Sequence, residues 1–128
     1  ELGVSVASVR TEIGMLSGGQ RQIVAIARAL RAGGRIVLLD EPTAALGVRE
    51  TAQAADMIRT LRERGNTVII VSHDMSLVFD LADRIQVMRL GRVAGIRERA
   101  QTTRDEIIGL ITGAVTGDEG TAPADTAA

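Results

Sequence analysis

The chain contains no cysteine and no lysine, and Phe79 is its only aromatic residue. Without cysteine there can be no disulfide and no thiolate metal site. Without lysine there can be no G-x-x-x-x-G-K-[ST] loop, in which a lysine reaches the phosphates of a nucleotide. One phenyl ring offers no stacking platform for single-stranded nucleic acid. With so few aromatic residues, the core has to be aliphatic.

The chain also lacks a strong charge of either sign and a long apolar run. Its net charge of −1 gives no basic field for DNA, and nucleic acid is not an expected partner. No segment approaches the roughly 20 apolar residues that a membrane-spanning helix needs. With 45% hydrophobic residues among 128, we expect one modest core, forming one domain or part of one.

The apolar pattern predicts alternating helices and strands. A helix follows Ser17, with apolar positions at Ile23, Ile26, Ala27 and Leu30, and Gly33 and Gly34 end it. The continuous apolar runs at 36–39 and 67–71 predict two strands buried on both faces of a parallel sheet. Between them, a helix over about 48–64 presents Ala52, Ala55, Ile58 and Leu61. This order favours an α/β layered fold.

The later part of the chain predicts a short helix, a hairpin and a last helix. The helix covers 76–82, and the hairpin joins 85–88 to 93–94. The last helix begins at Thr103, forms a capping box with Glu106 and ends at Gly113. Residues 117–128 lack an apolar period, so we expect a solvated tail whose part after about Gly117 is dispensable for stability.

The run Leu16-Ser17-Gly18-Gly19-Gln20 opens the first predicted helix. Free backbone N–H groups at a helix start attract anions, and glycine lets a phosphate approach closely. For a bare Ser-Gly-Gly, an ordinary serine-capped helix is the favoured interpretation. The longer string therefore has to decide between these interpretations.

Carboxylates and a histidine follow the two predicted strands. Asp40 and Glu41 end the first strand, where one carboxylate can hold Mg²⁺ through its waters while the other polarises an attacking water. His73 follows the second strand, and parallel strands would bring it to the same edge. Ser72, His73 and Asp74 are consecutive in sequence, so they cannot form a nucleophilic triad.

The string LSGGQRQ, followed closely by a strand ending in Asp-Glu-Pro-Thr, resembles the signature and Walker B motifs of ABC-type ATPases. The resemblance implies a partial P-loop NTPase domain of ABC type, with a largely parallel sheet, flanking helices and a C-terminal hairpin plus helix. It also implies that the γ-phosphate of ATP held on a second subunit is contacted by Ser17, Gly18, Gly19 and Gln20. The working unit would then be a dimer.

For the strand ends, the resemblance implies that Asp40 serves Mg²⁺, that Glu41 is the catalytic base and that His73 is the switch histidine. We expect residues 1–15 to be the end of a helical subdomain and a loop, 16–113 the C-terminal half of the ATPase domain, and 114–128 the tail. This fragment alone should not hydrolyse ATP. Where the family commonly has an aspartate in the following loop, this chain has Gly47, which leaves open whether both ATP sites of a dimer are active.

Looser strings, among them TAALG, SHDM, MRLGR and IIGLITGA, resemble ATP-binding subunits of bacterial importers for ribose, xylose or fructose. This implies transmembrane permease partners, an indirect link to an extracytoplasmic solute-binding protein, and a place on the cytoplasmic face of the plasma membrane. Two alternatives are an ABC ATPase acting in DNA repair or translation and a degenerate interaction module. The short stretch from Gln20 to Arg35 argues against the first, and the joint presence of Ser17, Asp40, Glu41 and His73 argues against the second.

Overall fold

The computed structural model describes residue 10 and residues 12–31, 34–44 and 46–117. The chain divides into two compact units, Glu1–Leu77 and Val78–Ala128. Helices and strands of the described residues are α1 (Gly18–Arg31), β1 (Ile36–Asp40), α2 (Val48–Glu63), β2 (Thr67–Val71), α3 (Met75–Leu81), β3 (Arg84–Arg89), β4 (Arg92–Glu98) and α4 (Arg104–Thr112). Short 3-10 helices cover Ile13–Met15 and Arg99–Gln101.

In the first unit, β1 and β2 form the predicted parallel pair. Their Cα register runs from Ile36 opposite Thr67 to Asp40 opposite Val71, so both strands end side by side. The core draws its buried side chains from α1, α2 and one face of this sheet: Ile23, Ile26, Val37, Leu39, Ala54, Ala55, Met57, Ile58 and Leu61. The aliphatic core expected from the composition is therefore present.

The opposite face of this sheet is exposed, and the prediction that both strands are buried on both faces is wrong for the described residues. Ile36 and Leu38 are 62% and 72% exposed, and Ile69 and Val71 are 48% and 59% exposed. Burial alternates along β1 because only one face meets helices. A continuous apolar run indicates that both faces of a strand can be buried, but it does not indicate that this chain covers both of them.

The helix α2 follows its prediction in extent but differs in its buried stripe. Ala52 is exposed, whereas Ala54 and Met57 are buried. The helix ends as glycine at a C-terminus suggests, because Gly65 has a φ of 83° and its N–H donates to the carbonyl of Arg62. No helix in the described part of the chain is both long and apolar enough to cross a bilayer.

The second unit is a hairpin covered by α4. The antiparallel strands β3 and β4 meet at Leu90 and Gly91, which both have positive φ values, as the tightest hairpin turns require. Ile107 and Leu110 of α4 are buried. The predicted strand at 93–94 extends to Glu98, because the antiparallel ladder continues to Arg84.

Half of the predicted capping box at α4 is formed. The Thr103 hydroxyl accepts a hydrogen bond from the N–H of Glu106, but the Glu106 carboxylate accepts from Arg97 Nε at 2.6 Å and from the Thr102 hydroxyl at 2.7 Å. A charge-assisted bond to a guanidinium is stronger than one to a backbone N–H, which explains this choice. These two bonds, led by the one from Arg97, lower the pKa of Glu106.

Contacts continue beyond the end of α4. The N–H of Val115 donates to the carbonyl of Gly109, and Gly117 lies so close to the Ala94 carbonyl that a side chain there would collide with it. Residues 114–117 therefore fold back onto the second unit, past the predicted start of the tail. Residues 118–128 and most of 1–15 lie outside the described residues.

Candidate functional site

The ends of β1 and β2 bring an acid and a histidine together. The N–H of Glu41 donates to the carbonyl of Val71 at 2.8 Å, which extends the pairing one residue past β1. Glu41 has a φ of 45°, in the left-handed region that non-glycine residues rarely occupy. Its Oε1 lies 2.8 Å from Nδ1 of His73. The predicted meeting of these two side chains at one sheet edge is present.

The electrostatics of this pair follow from its geometry. The hydrogen bond to Glu41, and then the negative charge of Glu41, raise the pKa of His73 above its usual 6.5. The His73 side chain is 85% exposed and the Glu41 side chain 33% exposed. The carboxylate is thus partly enclosed, while the imidazole remains accessible to an external group.

The turn that carries His73 is held by its two neighbours. The N–H of Asp74 donates to the Ser72 hydroxyl, and the Asp74 carboxylate accepts hydrogen bonds from the N–H groups of Ser76 and Leu77 at the start of α3. Ser72 and Asp74 therefore shape the backbone, and neither is hydrogen-bonded to the imidazole. This agrees with the exclusion of a nucleophilic triad.

Asp40 differs from Glu41 although they are adjacent. It ends β1 on the exposed face, and its carboxylate has no hydrogen-bond or ion-pair partner among the described residues. In that part of the chain, no cluster of three or more acidic or histidine side chains could bind a metal. A single open carboxylate fits Mg²⁺, which is commonly held by one or two carboxylates together with waters and phosphate oxygens.

Ser17 and Gln20 form a reciprocal cap at the start of α1. The Ser17 hydroxyl accepts from the N–H of Gln20 at 3.2 Å, and the Gln20 Oε1 accepts from the N–H of Ser17 at 3.0 Å. The serine-capped helix considered from the sequence is therefore the local structure. It is compatible with anion binding, because the cap leaves the Ser17 hydroxyl hydrogen and the first N–H groups of the helix available.

Gly18 and Gly19 have different surroundings, since Gly18 is exposed and Gly19 is buried. No hydrogen bond or ion pair in the described residues joins the turn Ser17–Gln20 to Asp40, Glu41 or His73. The sequence motifs thus form two groups, one at the sheet edge and one at the start of α1.

Sequence reasoning did not identify Arg21. Its Nη1 donates to the carbonyl of Leu16 at 2.7 Å and secures the chain entering α1. A signal was present, because the first turn of α1 contains no acidic residue and a cation follows it directly. Cations are usually unfavourable near the positive end of a helix dipole.

A family model for the ABC transporter matches residues 3–44, which include the Ser17–Gln20 turn, Asp40 and Glu41. The fructose import ATP-binding protein of Rhizobium meliloti is 42% identical over 115 residues, covering 89% of this chain and 44% of the relative. The ribose import ATP-binding protein of Chromobacterium violaceum is 42% identical over 117 residues, covering 91% of this chain and 23% of the relative. The chain spans less than half the length of these relatives.

Solved structures give the same result. An ATP-binding cassette of an ABC transporter in its ADP conformation has a TM-score of 0.62 and 27% identity, over 77% of this chain and 37% of that chain. A dimeric cassette in a post-hydrolysis state, bound to ADP and Pi, has a TM-score of 0.61 and 37% identity, over 67% of this chain and 37% of that chain. The predicted α/β fold is that of an ATP-binding cassette.

Proposed function

Because this chain belongs to the ABC transporter ATP-binding family, we propose that it is the C-terminal half of a nucleotide-binding domain that hydrolyses ATP to power uptake of a small carbohydrate. The observation that carries this proposal is the Glu41–His73 contact at the ends of two paired parallel strands. In α/β proteins, ligands bind at this edge of the sheet.

Each polar group at the edge has a role in hydrolysis. Glu41 accepts the proton of the water that attacks the γ-phosphate, and its contact with His73 fixes the direction of the carboxylate. The exposed face of the His73 imidazole is available to a phosphate oxygen. Mg²⁺ bound through waters to Asp40 would offset the negative charge of the phosphates.

The turn Ser17–Gln20 acts on ATP held by a second subunit. A capped helix start can complete an anion site, but without a lysine or metal ligand of its own it cannot build one. The dimeric relative with ADP and Pi supports such an arrangement. In the proposed full-length protein, which carries both halves of the domain, Ser17→Arg should retain ATP binding by monomers and lose ATP-dependent dimerisation, measured by size-exclusion chromatography. Loss of ATP binding by the monomer would contradict action across subunits.

The remaining partners follow from the relatives. Two of them are named for the import of fructose and ribose, so we propose a permease partner, an indirect link to a solute-binding protein and a place on the cytoplasmic face of the plasma membrane. The exposed apolar side chains of β1 and β2 then pack against the other half of the same domain. The 128 residues alone should bind Mg-ATP weakly. A micromolar dissociation constant in calorimetric titration would contradict the proposal that this chain is only half of the domain.

The decisive experiment replaces the proposed base. In the full-length protein, Glu41→Gln should keep ATP binding and slow hydrolysis by a factor on the order of 10² or more, because a positioned general base is lost. Glu63→Gln, an exposed acid at the end of α2, is the matched control and should leave turnover unchanged. Unchanged turnover in Glu41→Gln would assign the base to another residue.

A further inference from the structure

The first observation concerns the space beside Gly19. A Cβ atom added at Gly19 would lie 3.1 Å from Leu46 Cδ2 and 3.2 Å from Glu50 Cγ, closer than ordinary van der Waals contact. At Gly18, the nearest atom would be an Arg21 guanidinium nitrogen at 3.9 Å. Gly18 therefore leaves space open to the outside, whereas the space at Gly19 is filled by the side chains of Leu46, in the loop before α2, and Glu50, in the first turn of α2.

The second observation concerns Gly47, the residue directly before α2. A Cβ atom added there would lie 2.7 Å from Oε2 of Glu50. Gly47 is the N-cap of α2 and makes no side-chain capping bond. The Glu50 carboxylate thus lies over a helix start that has no cap of its own, where a negative charge is favourable.

We propose that Glu50 is a positioning residue, which uses the space left by Gly19 and Gly47 to hold the Ser17–Gln20 turn against the start of α2. The Cβ and Cγ atoms of Glu50 occupy the space that a side chain at Gly19 would need, and its Oε2 occupies the space that one at Gly47 would need. The expected effect of Glu50 on turnover rests on the proposed ATPase function, whereas its packing against the Ser17–Gln20 turn does not.

The position of Glu50 links the two groups of functional residues. Hydrogen bonds from Ala44 N–H to the Glu41 carbonyl and from Leu46 N–H to the Thr43 carbonyl make successive turns between the sheet edge and α2. Glu50 then closes the gap from α2 to Gly19. The hydrogen-bonded turns after Glu41 therefore lead to the start of α2, where Glu50 lies beside the Ser17–Gln20 turn.

The first test measures local opening by amide hydrogen exchange in the full-length protein. In α1, the N–H of Gln20 donates to the Ser17 hydroxyl and that of Arg21 to the Ser17 carbonyl. Glu50→Ala removes the stem and should accelerate exchange at both amides by about threefold or more, since this turn loses its packing. Glu50→Gln keeps the stem and loses only the charge over the start of α2, so it should accelerate exchange at both amides clearly less than Glu50→Ala.

The glycines provide independent variants. Gly19→Ala and Gly47→Ala should each displace Glu50 and accelerate exchange at the same two amides. In the double variant, Gly19→Ala should add little to the effect of Glu50→Ala, because both changes disturb the same packing of Glu50 beside Gly19. Gly14→Ala is the control, since nothing lies within 4 Å of a Cβ added there. Normal exchange in both Glu50→Ala and Gly19→Ala would overturn the inference.

The second test measures turnover of the same proteins. Glu50→Ala should lower kcat several-fold with unchanged ATP binding to monomers, and Glu50→Gln should restore most of it. Equal loss in Glu50→Gln and Glu50→Ala would overturn the role of the stem. If the unaltered full-length protein hydrolyses no ATP, the proposed function fails, and the exchange rates still decide whether Glu50 holds the turn.

Discussion

The two units of the molecule differ in how far their apolar and polar side chains are covered or paired within the unit. In the second unit, α4 packs against the hairpin, and two arginines have partners within the unit: Arg97 binds Glu106, and Arg99 donates to the Phe79 carbonyl while lying 4.9 Å from the centre of the Phe79 ring. In the first unit, one sheet face exposes four large aliphatic side chains, and the sheet edge carries open polar groups. The described residues thus leave one sheet face of the first unit uncovered, whereas in the second unit α4 covers one side of the hairpin and apolar residues such as Leu90 and Ile111 remain exposed.

The largest expected effect tests how self-sufficient the second unit is. Leu110 is fully buried in α4, while its neighbour Ile111 is 47% exposed. Leu110→Ala should lower the free energy of unfolding by about 2–5 kcal/mol, because a cavity replaces packed side chain. Ile111→Ala should cost less than half as much by urea denaturation, and equal costs would show that the outer surface of α4 is also covered.

Two adjacent leucines test the two faces of β1. Leu39 is 9% exposed and Leu38 is 72% exposed. In the 128-residue chain, Leu39→Ala should cost about 2–3 kcal/mol and Leu38→Ala about 0.5 kcal/mol or less. In the full-length protein the two costs should become similar, because we propose that the outer face is covered there; a persistent difference would contradict that covering.

The dependence of stability on acid pH should reveal the contacts of Glu106 in the second unit. Because the pKa of Glu106 is lowered in the folded state, its contacts stabilise the protein above the unfolded value of 4.5 and are lost as the pH falls through the lower folded value. Glu106→Gln should therefore reduce stability at neutral pH and flatten its dependence on pH below about 4.5. Thermal melting between pH 3 and 7 measures both, with Glu98→Gln as a more exposed control.

The smallest effect concerns the polar pair of the first unit. The pKa of His73 is raised, so the contact with Glu41 stabilises fully below pH 6.5 and weakens as the pH rises through the higher folded value. An NMR titration of the single histidine should have its midpoint above 6.5, and Glu41→Gln should move it down. An unmoved midpoint would show that Glu41 does not perturb His73 in solution.

Sequence reasoning succeeded where local chemistry decides the structure. Gly65 and Gly113 end helices by adopting positive φ, and Thr103 caps α4. Residues at the ends of two paired parallel strands must be close, so the Glu41–His73 contact followed from two apolar runs.

Sequence reasoning failed where segments far apart in the sequence compete for the same polar group or for the same space in the fold. No local pattern states that Glu106 prefers Arg97 to the backbone, or that Glu50 fills the space beside Gly19. The exposure of Leu38 is of the same kind, because an apolar residue specifies that it can be buried but not what covers it. These outcomes depend on tertiary arrangement rather than on neighbours in sequence.

The left-handed backbone of Glu41 has a consequence for engineering. This conformation costs a residue with a side chain about 1–2 kcal/mol of steric strain, whereas glycine adopts it almost without strain. A search for thermostable variants scored by melting temperature alone should therefore favour glycine at this position, and would remove the proposed base in doing so. Leu90 is the other non-glycine residue with a positive φ among those described, so a screen by melting temperature would treat the two positions alike, and only an activity screen would separate them.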